Sequence, residues 1–192
     1  MLNTDQTVIS LSKSTLPLSG LRSYVFQVLL VGAAVILPLI VHLSGAPVRY
    51  FLPMHWVVVL SGLVYGWRSG AITGFLSPIV SYFISGFPLL YILPSMTLEL
   101  FTYGLVVGFL YERSKLNPWL SVAISLLAGR TVFIAYILLG NIFATNQLEY
   151  LKVALMPGLF AALFQIALLP SLAKWWVKKE QHSVNSKSMR TR

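Results

Sequence analysis

The sequence predicts an all-α integral membrane protein, a bundle of six transmembrane helices whose N and C termini are both cytoplasmic. Three observations support this class. Hydrophobic residues make up 57% of the 192 residues and charged residues only 10%, so most of the surface is unsuited to water. Apolar runs of about 20 residues, the length that crosses a hydrocarbon core of about 30 Å, recur along the chain. Basic residues gather in the connections of one side.

Four apolar runs are long enough to cross the membrane, at residues 24–43, 93–111, 118–140 and 153–177. Two shorter helices are predicted between the first and second of these runs, at about 54–67 and 69–86, joined at Arg68. The first of the two is short for a full crossing. It could tilt, lie partly buried among its neighbours, or form one arm of a re-entrant hairpin.

Lysine and arginine set the predicted orientation. With both termini inside, only Arg49 and Lys152 are external, whereas eleven basic residues are cytoplasmic: Lys13, Arg22, Arg68, Arg113, Lys115, Lys174, Lys178, Lys179, Lys187, Arg190 and Arg192. Cytoplasmic loops carry such an excess. The predicted organisation is a cytoplasmic leader at 1–23, a membrane domain at 24–178 and a basic cytoplasmic tail at 179–192, whose charge favours anionic lipid.

Several function classes find no support in the sequence. The net charge of +9 is explained by membrane topology, so no nucleic-acid partner is predicted. The chain has no cysteine, which excludes disulfides and thiolate chemistry. It has no Walker loop, no H-E-x-x-H, no G-x-S-x-G and no acidic metal cluster. We therefore expect a protein that is not an enzyme and has no metal site and no cofactor.

Glycines recur every fourth residue in the second and third predicted helices, at Gly62, Gly66, Gly70 and Gly74. Membrane helices associate through close packing, and small residues let their backbones approach. The glycines could hold this bundle together or form a docking surface for a second membrane protein. Gly32, Ala33 and Ala34 in the first span leave the same two interpretations open.

Glu99 and Arg130 are the ionisable residues deep inside predicted spans. Each costs at least about 2.5 to 3.5 kcal/mol there and needs a partner or a watery cavity. Their depths differ by about 6 Å, so they could form an ion pair that only fixes helix packing. Alternatively they frame an outer site, with Arg130 binding a carboxylate or phosphate through its planar fork and Glu99 orienting that arginine or binding a ligand hydroxyl or amine.

Further polar residues lie on the same faces. Tyr103 follows Glu99 by one helical turn, Asn141 shares a face with Arg130, and Gln165 lies among small residues of the sixth helix. His55 begins the second helix at the outer side. A histidine there is commonly an interfacial or hydrogen-bonded residue, but it could also bind a polar group or the metal of a ligand. We predict His55 and Tyr103 at the rim of the site.

Four stretches resemble a known family: PMHWVVVLSGLVYGWRSGAITGFLSPIVSYFISGFP, MTLELFTYGLVVGFLYER, AGRTVFIAYILLG and MPGLFAALFQIALLP. They are similar to helices of the substrate-binding S components of energy-coupling factor (ECF) transporters, and the resemblance covers about residues 24–178. It implies a six-helix binding protein for a vitamin or related micronutrient, working with a transmembrane coupling subunit and two cytoplasmic ATPases. In that family a small-residue pattern of the first helix docks the coupling subunit.

The predicted function is capture of a vitamin-like ligand from outside and its delivery inward, in a multi-pass protein of a bacterial plasma membrane. A pantothenate-like carboxylate would suit Arg130, whereas a metal tetrapyrrole such as haem or a cobalamin-like ligand would suit His55 as an axial ligand. A non-transporting scaffold and an autonomous secondary carrier are the rivals. The sequence shows neither an internal repeat nor paired broken helices for a carrier.

Overall fold

The structure is a computed structural model that describes residues 15–18, 21–45, 48–140 and 147–190. Helix is the only regular secondary structure in those ranges. Asn141 and residues 1–14 lie outside them. The helices are α1 (Leu21–Leu43), α2 (Val48–Phe51), α3 (Pro53–Tyr65), α4 (Trp67–Ser85), α5 (Leu93–Glu112), α6 (Pro118–Leu139) and α7 (Gln147–Arg190).

The all-helical prediction is confirmed, and four of the described helices are long and apolar enough to cross a membrane: α1, α5, α6 and the part of α7 up to His182. The third predicted helix corresponds to α4, which has 19 residues, but its serines and glycines make it less apolar than these four. Helix α3 has only 13 residues. The two shorter helices that the sequence predicts between the first and second long runs, α3 and α4, are thus not among the four.

Two predicted boundaries are wrong. The joint between α3 and α4 is Gly66, not Arg68, and Gly66 has φ 83° and ψ −176°. A residue with a side chain rarely adopts that φ, so glycine sets the position of the break. The sixth helix begins at Gln147 and continues to Arg190 rather than spanning 153–177. Glu149 in its first turn is favourable at a helix N-terminus, and lysine-rich sequence propagates a helix well.

The segment before α1 packs against the bundle. Thr15 and Leu16 are buried, and the Leu16 N–H donates to the Val64 carbonyl over 2.7 Å, near the end of α3. At the same end, Arg22 of α1 forms an ion pair with Glu180 of α7 at 2.5 Å. This part of the predicted leader is therefore a component of the folded bundle.

Helix α3 lies at the centre of the structure. Every residue from Val57 to Tyr65 is buried, and α1, α4, α5 and α7 all contact this helix. Helices α1 and α7 instead expose large apolar side chains such as Leu29, Leu159 and Phe164. An apolar exterior is stable in lipid and not in water, which agrees with a membrane-embedded bundle.

The glycines of α3 and α4 are used for contacts within the chain. A Cβ on Gly70 would overlap the backbone of Gly104 in α5, and a Cβ on Gly104 would overlap Gly70 in return. Gly74 meets the backbone of Leu100 in the same way. Backbone against backbone is the closest approach that two helices can make, and it leaves α4 and α5 as a tightly joined pair.

Of the two interpretations of Gly62, Gly66, Gly70 and Gly74, these contacts favour packing within the chain, and docking of a second protein stays a prediction. Gly62 lies against α5, and Gly66 lies against the carboxylate of Glu112. In α1, Ala34 is fully buried and Ala33 is partly buried in the core. A side chain added at Gly32 would meet nothing within 4 Å. Of the five glycines predicted to dock a partner, Gly32 is thus the one with open space beside it.

Candidate functional site

The two membrane-embedded charges meet as an ion pair between α5 and α6. The Arg130 Nη1 lies 3.0 Å from Glu99 Oε1, and the Tyr103 hydroxyl donates to the same oxygen over 2.6 Å. Glu99 is 3% exposed, whereas the Arg130 side chain is 22% exposed. One carboxylate oxygen therefore accepts from two donors, while the guanidinium keeps part of its surface free.

Two glycines make room for this pair. A Cβ on Gly129 would overlap the Tyr103 ring, and a Cβ on Gly158 in α7 would overlap the Arg130 guanidinium. Without side chains at these positions, α5, α6 and α7 approach closely enough for Tyr103 and Arg130 to converge on Glu99. The charged cluster, defined here as Glu99, Tyr103 and Arg130, thus depends on both glycines.

His55 lies beside the charged cluster without joining it. Its Nε2 is 4.0 Å from Glu99 Oε1, beyond hydrogen-bond distance, and its ring centroid is 5.4 Å from that of Tyr103. His55 is 4% exposed, and neither of its ring nitrogens has a hydrogen-bond partner. A buried polar atom without a partner costs about 1 to 3 kcal/mol, so a bound group that supplies one would be stabilised here.

A cavity of about 470 Å³ opens on the other side of His55. It lies between the end of α1, the start of α3, the end of α4 and the start of α5. Its walls are mainly apolar, with Leu39, Pro88 and Met96 among them, and His42, Ser81 and Ser85 add polar groups. We call this space the outer cavity, after the external side that the sequence predicts for this end of the bundle. His55 is the residue that joins it to the charged cluster.

The other predicted site residues do not join this arrangement. Gln165 is 1% exposed, and both polar atoms of its side chain have no hydrogen-bond partner. It follows Gly158 by seven residues, which places it about 10 Å farther along α7 from the Arg130 contact. Asn141 lies outside the described residues.

A second polar cluster, absent from the sequence-based prediction, joins α1, α3 and α4. The Gln27 Nε2 donates to the Thr73 hydroxyl over 2.7 Å, and the Ser69 hydroxyl donates to Gln27 Oε1. The Ser61 hydroxyl lies 2.7 Å from that of Ser69 and 2.8 Å from that of Thr73. We call these four residues the hydroxyl network. Gln27, a lone amide in a long apolar span, was the signal for it in the sequence.

The chemistry available at this end of the bundle is recognition of a small molecule. The charged cluster contains one negative and one positive group, so it adds little net charge, and the outer cavity offers apolar walls with a few polar contacts. Such lining is typical of small-molecule sites, in which a small number of polar groups fix the ligand's orientation. Within the described residues, no group of three or more histidine, cysteine, aspartate or glutamate side chains is arranged to hold a metal ion.

These features define a membrane-embedded helical protein with a small-molecule cavity at one end of its bundle. Residues 22–178 match the family described as ECF transporter, substrate-specific component, and the chain belongs to that family. Comparison with curated proteins and with solved structures finds no significant match. The chain is thus a substrate-specific membrane subunit of the kind that works with a small-molecule substrate and an ECF module.

Proposed function

We propose that the protein captures a vitamin-like small molecule from the external side and delivers it inward together with a transmembrane coupling subunit and two cytoplasmic ATPases. In this proposal α1 and α3 to α7 form six crossings of a bacterial plasma membrane, and both termini are cytoplasmic. The chain performs no catalysis itself, since ATP hydrolysis takes place in the partner subunits. Family membership and the basic residues of the loops support this topology.

The observation that carries the proposal is the unpartnered His55 in the wall of the outer cavity. The cavity's volume of about 470 Å³ falls within the range of about 300 to 1,000 Å³ found for small-molecule sites. A ligand with an apolar body and one hydrogen-bonding group would fill the walls and satisfy a ring nitrogen. Both contacts are made only when the ligand is bound, so both favour binding.

The anionic group of a ligand bound in this cavity would reach Arg130 by passing the side chain of Leu52. The Leu52 side chain lines the cavity and also lies 3.6 Å from the Cβ position at Gly158, where Arg130 packs. A guanidinium has five N–H donors, and in the described residues the Glu99 pair uses Nη1. The other N–H donors of Arg130 could bind a carboxylate such as that of pantothenate, while Glu99 holds the guanidinium in place.

The first experiment identifies the ligand by native mass spectrometry of the purified protein, followed by a thermal-shift titration. A ligand at 100 times its Kd stabilises the folded state by about 2.7 kcal/mol. His55→Leu should weaken binding at least fivefold, whereas the matched change His182→Leu, at an exposed position of α7, should not. Unchanged affinity in His55→Leu would contradict the proposed site, and the absence of any stabilising ligand would favour a scaffold.

The anion assignment has its own test. The double variant Glu99→Gln/Arg130→Met removes both charges together and so leaves no unpaired ion in the bundle. We expect it to fold and to lose affinity for a carboxylate ligand while keeping its affinity for the corresponding amide. Wild-type affinity for the carboxylate in the folded double variant would exclude Arg130 as the anion-binding residue.

A metal tetrapyrrole is the second candidate ligand, and His55 favours it. Both of its nitrogens are free, and Met54, Met96 and Phe87 line the same cavity. An imidazole nitrogen is a common metal ligand. Titration of the protein with haem, followed by its absorption spectrum, distinguishes the two ligands. A Soret shift that disappears in His55→Leu would support the tetrapyrrole, and an unshifted band would leave the carboxylate ligand.

A further inference from the structure

A groove lies between the start of α4 and the end of α5, at the opposite end of the bundle from the outer cavity. Its volume is about 400 Å³, and it is lined by Trp67, Leu105, Phe109 and Arg113. We call it the Trp67 groove. None of its residues belongs to the charged cluster, the hydroxyl network or the outer cavity.

The Trp67 groove has an apolar floor and a cationic end. Leu105, Phe109 and Arg113 follow one another at four-residue intervals and so share a face of α5. They extend over about 12 Å, which fits within half of a hydrocarbon core about 30 Å thick. Phe109 is exposed, so in a membrane this floor contacts lipid chains while Arg113 lies at the level of the headgroups.

A second arginine adds to the positive charge. The Arg68 guanidinium lies 5.3 Å from the centroid of the Trp67 ring, and both Arg68 and Arg113 are exposed. The nearby carboxylate of Glu112 accepts the Trp67 backbone N–H over 3.2 Å and contacts Gly66, and in the described residues it forms no ion pair with either arginine. The two guanidiniums are therefore available to a phosphate, which they can bind with parallel hydrogen bonds.

We propose that the Trp67 groove binds one anionic phospholipid, with an acyl chain along Leu105 and Phe109 and the headgroup phosphate between Arg68 and Arg113. Basic pockets between transmembrane helices bind anionic headgroups in this way, and a tryptophan is favoured at the same interfacial level. The proposal does not depend on the identity of the transported ligand, because the groove and the outer cavity share no residue.

The test uses the full chain, delipidated in detergent and titrated with phosphatidylglycerol or phosphatidylcholine of equal chain length, with bound lipid counted by native mass spectrometry. Each arginine contributes about fivefold to the affinity for an anionic lipid. Arg68→Gln/Arg113→Gln should therefore bind phosphatidylglycerol about 25-fold more weakly, whereas phosphatidylcholine, whose choline cation opposes the two guanidiniums, should lose less affinity. Thermal unfolding checks that the variant is folded, as expected for two exposed side chains.

The matched control is Lys178→Gln/Lys179→Gln, which removes the same charge near the same end of the bundle but outside the groove. It should retain phosphatidylglycerol as the wild type does. Three results would overturn the proposal: an equal loss in this control, full retention in the arginine variant, or equal binding of free glycerol phosphate, which would show that no lipid chain is needed.

Discussion

The outer cavity and the hydroxyl network contain buried polar groups that are treated in opposite ways. In the hydroxyl network, Gln27, Ser61, Ser69 and Thr73 satisfy one another across three helices. At the outer cavity, His55 is equally buried but has no hydrogen-bond partner. A closed network stabilises the arrangement of the helices. A buried polar atom without a hydrogen-bond partner instead favours the binding of a group that supplies one. Polarity alone therefore does not indicate a site in a membrane bundle; His55 is a candidate because its unfilled hydrogen-bonding group also lines a cavity.

The charged cluster shares a feature with each of these regions, because Glu99 and Arg130 pair with each other while Arg130 keeps part of its surface exposed. Breaking this ion pair should have the largest effect on the free energy of unfolding. Arg130→Met leaves the Glu99 carboxylate buried without its cation, which costs about 3 to 5 kcal/mol. We expect a corresponding fall in the free energy of unfolding, measured by denaturation in detergent micelles. The double variant Glu99→Gln/Arg130→Met should recover most of that loss. A single variant as stable as the wild type would show that the pair does not stabilise the bundle.

Close backbone packing next to the hydroxyl network gives the second prediction. In Gly70→Leu the new side chain meets the α5 backbone at Gly104, which cannot rotate away. We expect a loss of about 3 kcal/mol, at the upper end of the range for overpacked positions. Gly32→Leu is the control, because its added side chain meets open space. Equal melting temperatures for the two variants would contradict the packing described for α4 and α5.

The hydroxyl network itself should be moderately sensitive. Ser69→Ala removes the donor to Gln27 Oε1 and a neighbour of Ser61, leaving buried groups unsatisfied at a cost of about 1 to 3 kcal/mol. Thr131→Val is the comparison, because that hydroxyl is exposed and bonds only the Leu127 carbonyl one turn earlier in the described structure. Thermal unfolding of both proteins measures the difference. If Ser69→Ala is as stable as Thr131→Val, the network is not a closed unit.

The smallest change in stability should come from the outer cavity. His55→Leu removes no hydrogen bond that the described residues make, so the ligand-free protein should change by less than about 1 kcal/mol or become more stable. Denaturation without ligand measures this directly. A large destabilisation would mean that His55 supports the fold, and the contrast with Ser69 would disappear.

The sequence predicted the helices better than their joints. Apolar length located α1, α5 and α6 closely, because the thickness of a bilayer fixes how many apolar residues a span needs. The break before α4 lies at Gly66 and not at Arg68 because it depends on a positive φ, which the even spacing of the four glycines does not reveal. The start of α7 was predicted at residue 153 because the apolar run begins there, but the more polar residues from Gln147 onward also belong to the helix.

The site was predicted in part. The depths of Glu99 and Arg130 indicated that they could pair, and they do. Pairing across helices also depends on the direction of the side chains. The positions of Tyr103 and Gly129 determine that direction here, and the spacing of residues along the sequence does not reveal it. The reciprocal contact of Gly70 with Gly104 has a signal in the sequence, since Gly104 and Gly108 repeat the four-residue spacing on α5. The binding roles of all six predicted residues stay predictions: Arg130, Glu99, His55, Tyr103, Asn141 and Gln165.

The α4–α5 contact also limits how the protein can change shape. Helices separated by side chains can slide by small rotamer adjustments, but Gly70 and Gly104 interlock carbonyl against Cα, and any translation would first force the two main chains apart. The pair therefore behaves as a rigid frame. A change of shape would therefore take place where this frame meets its neighbours α1, α3 and α6.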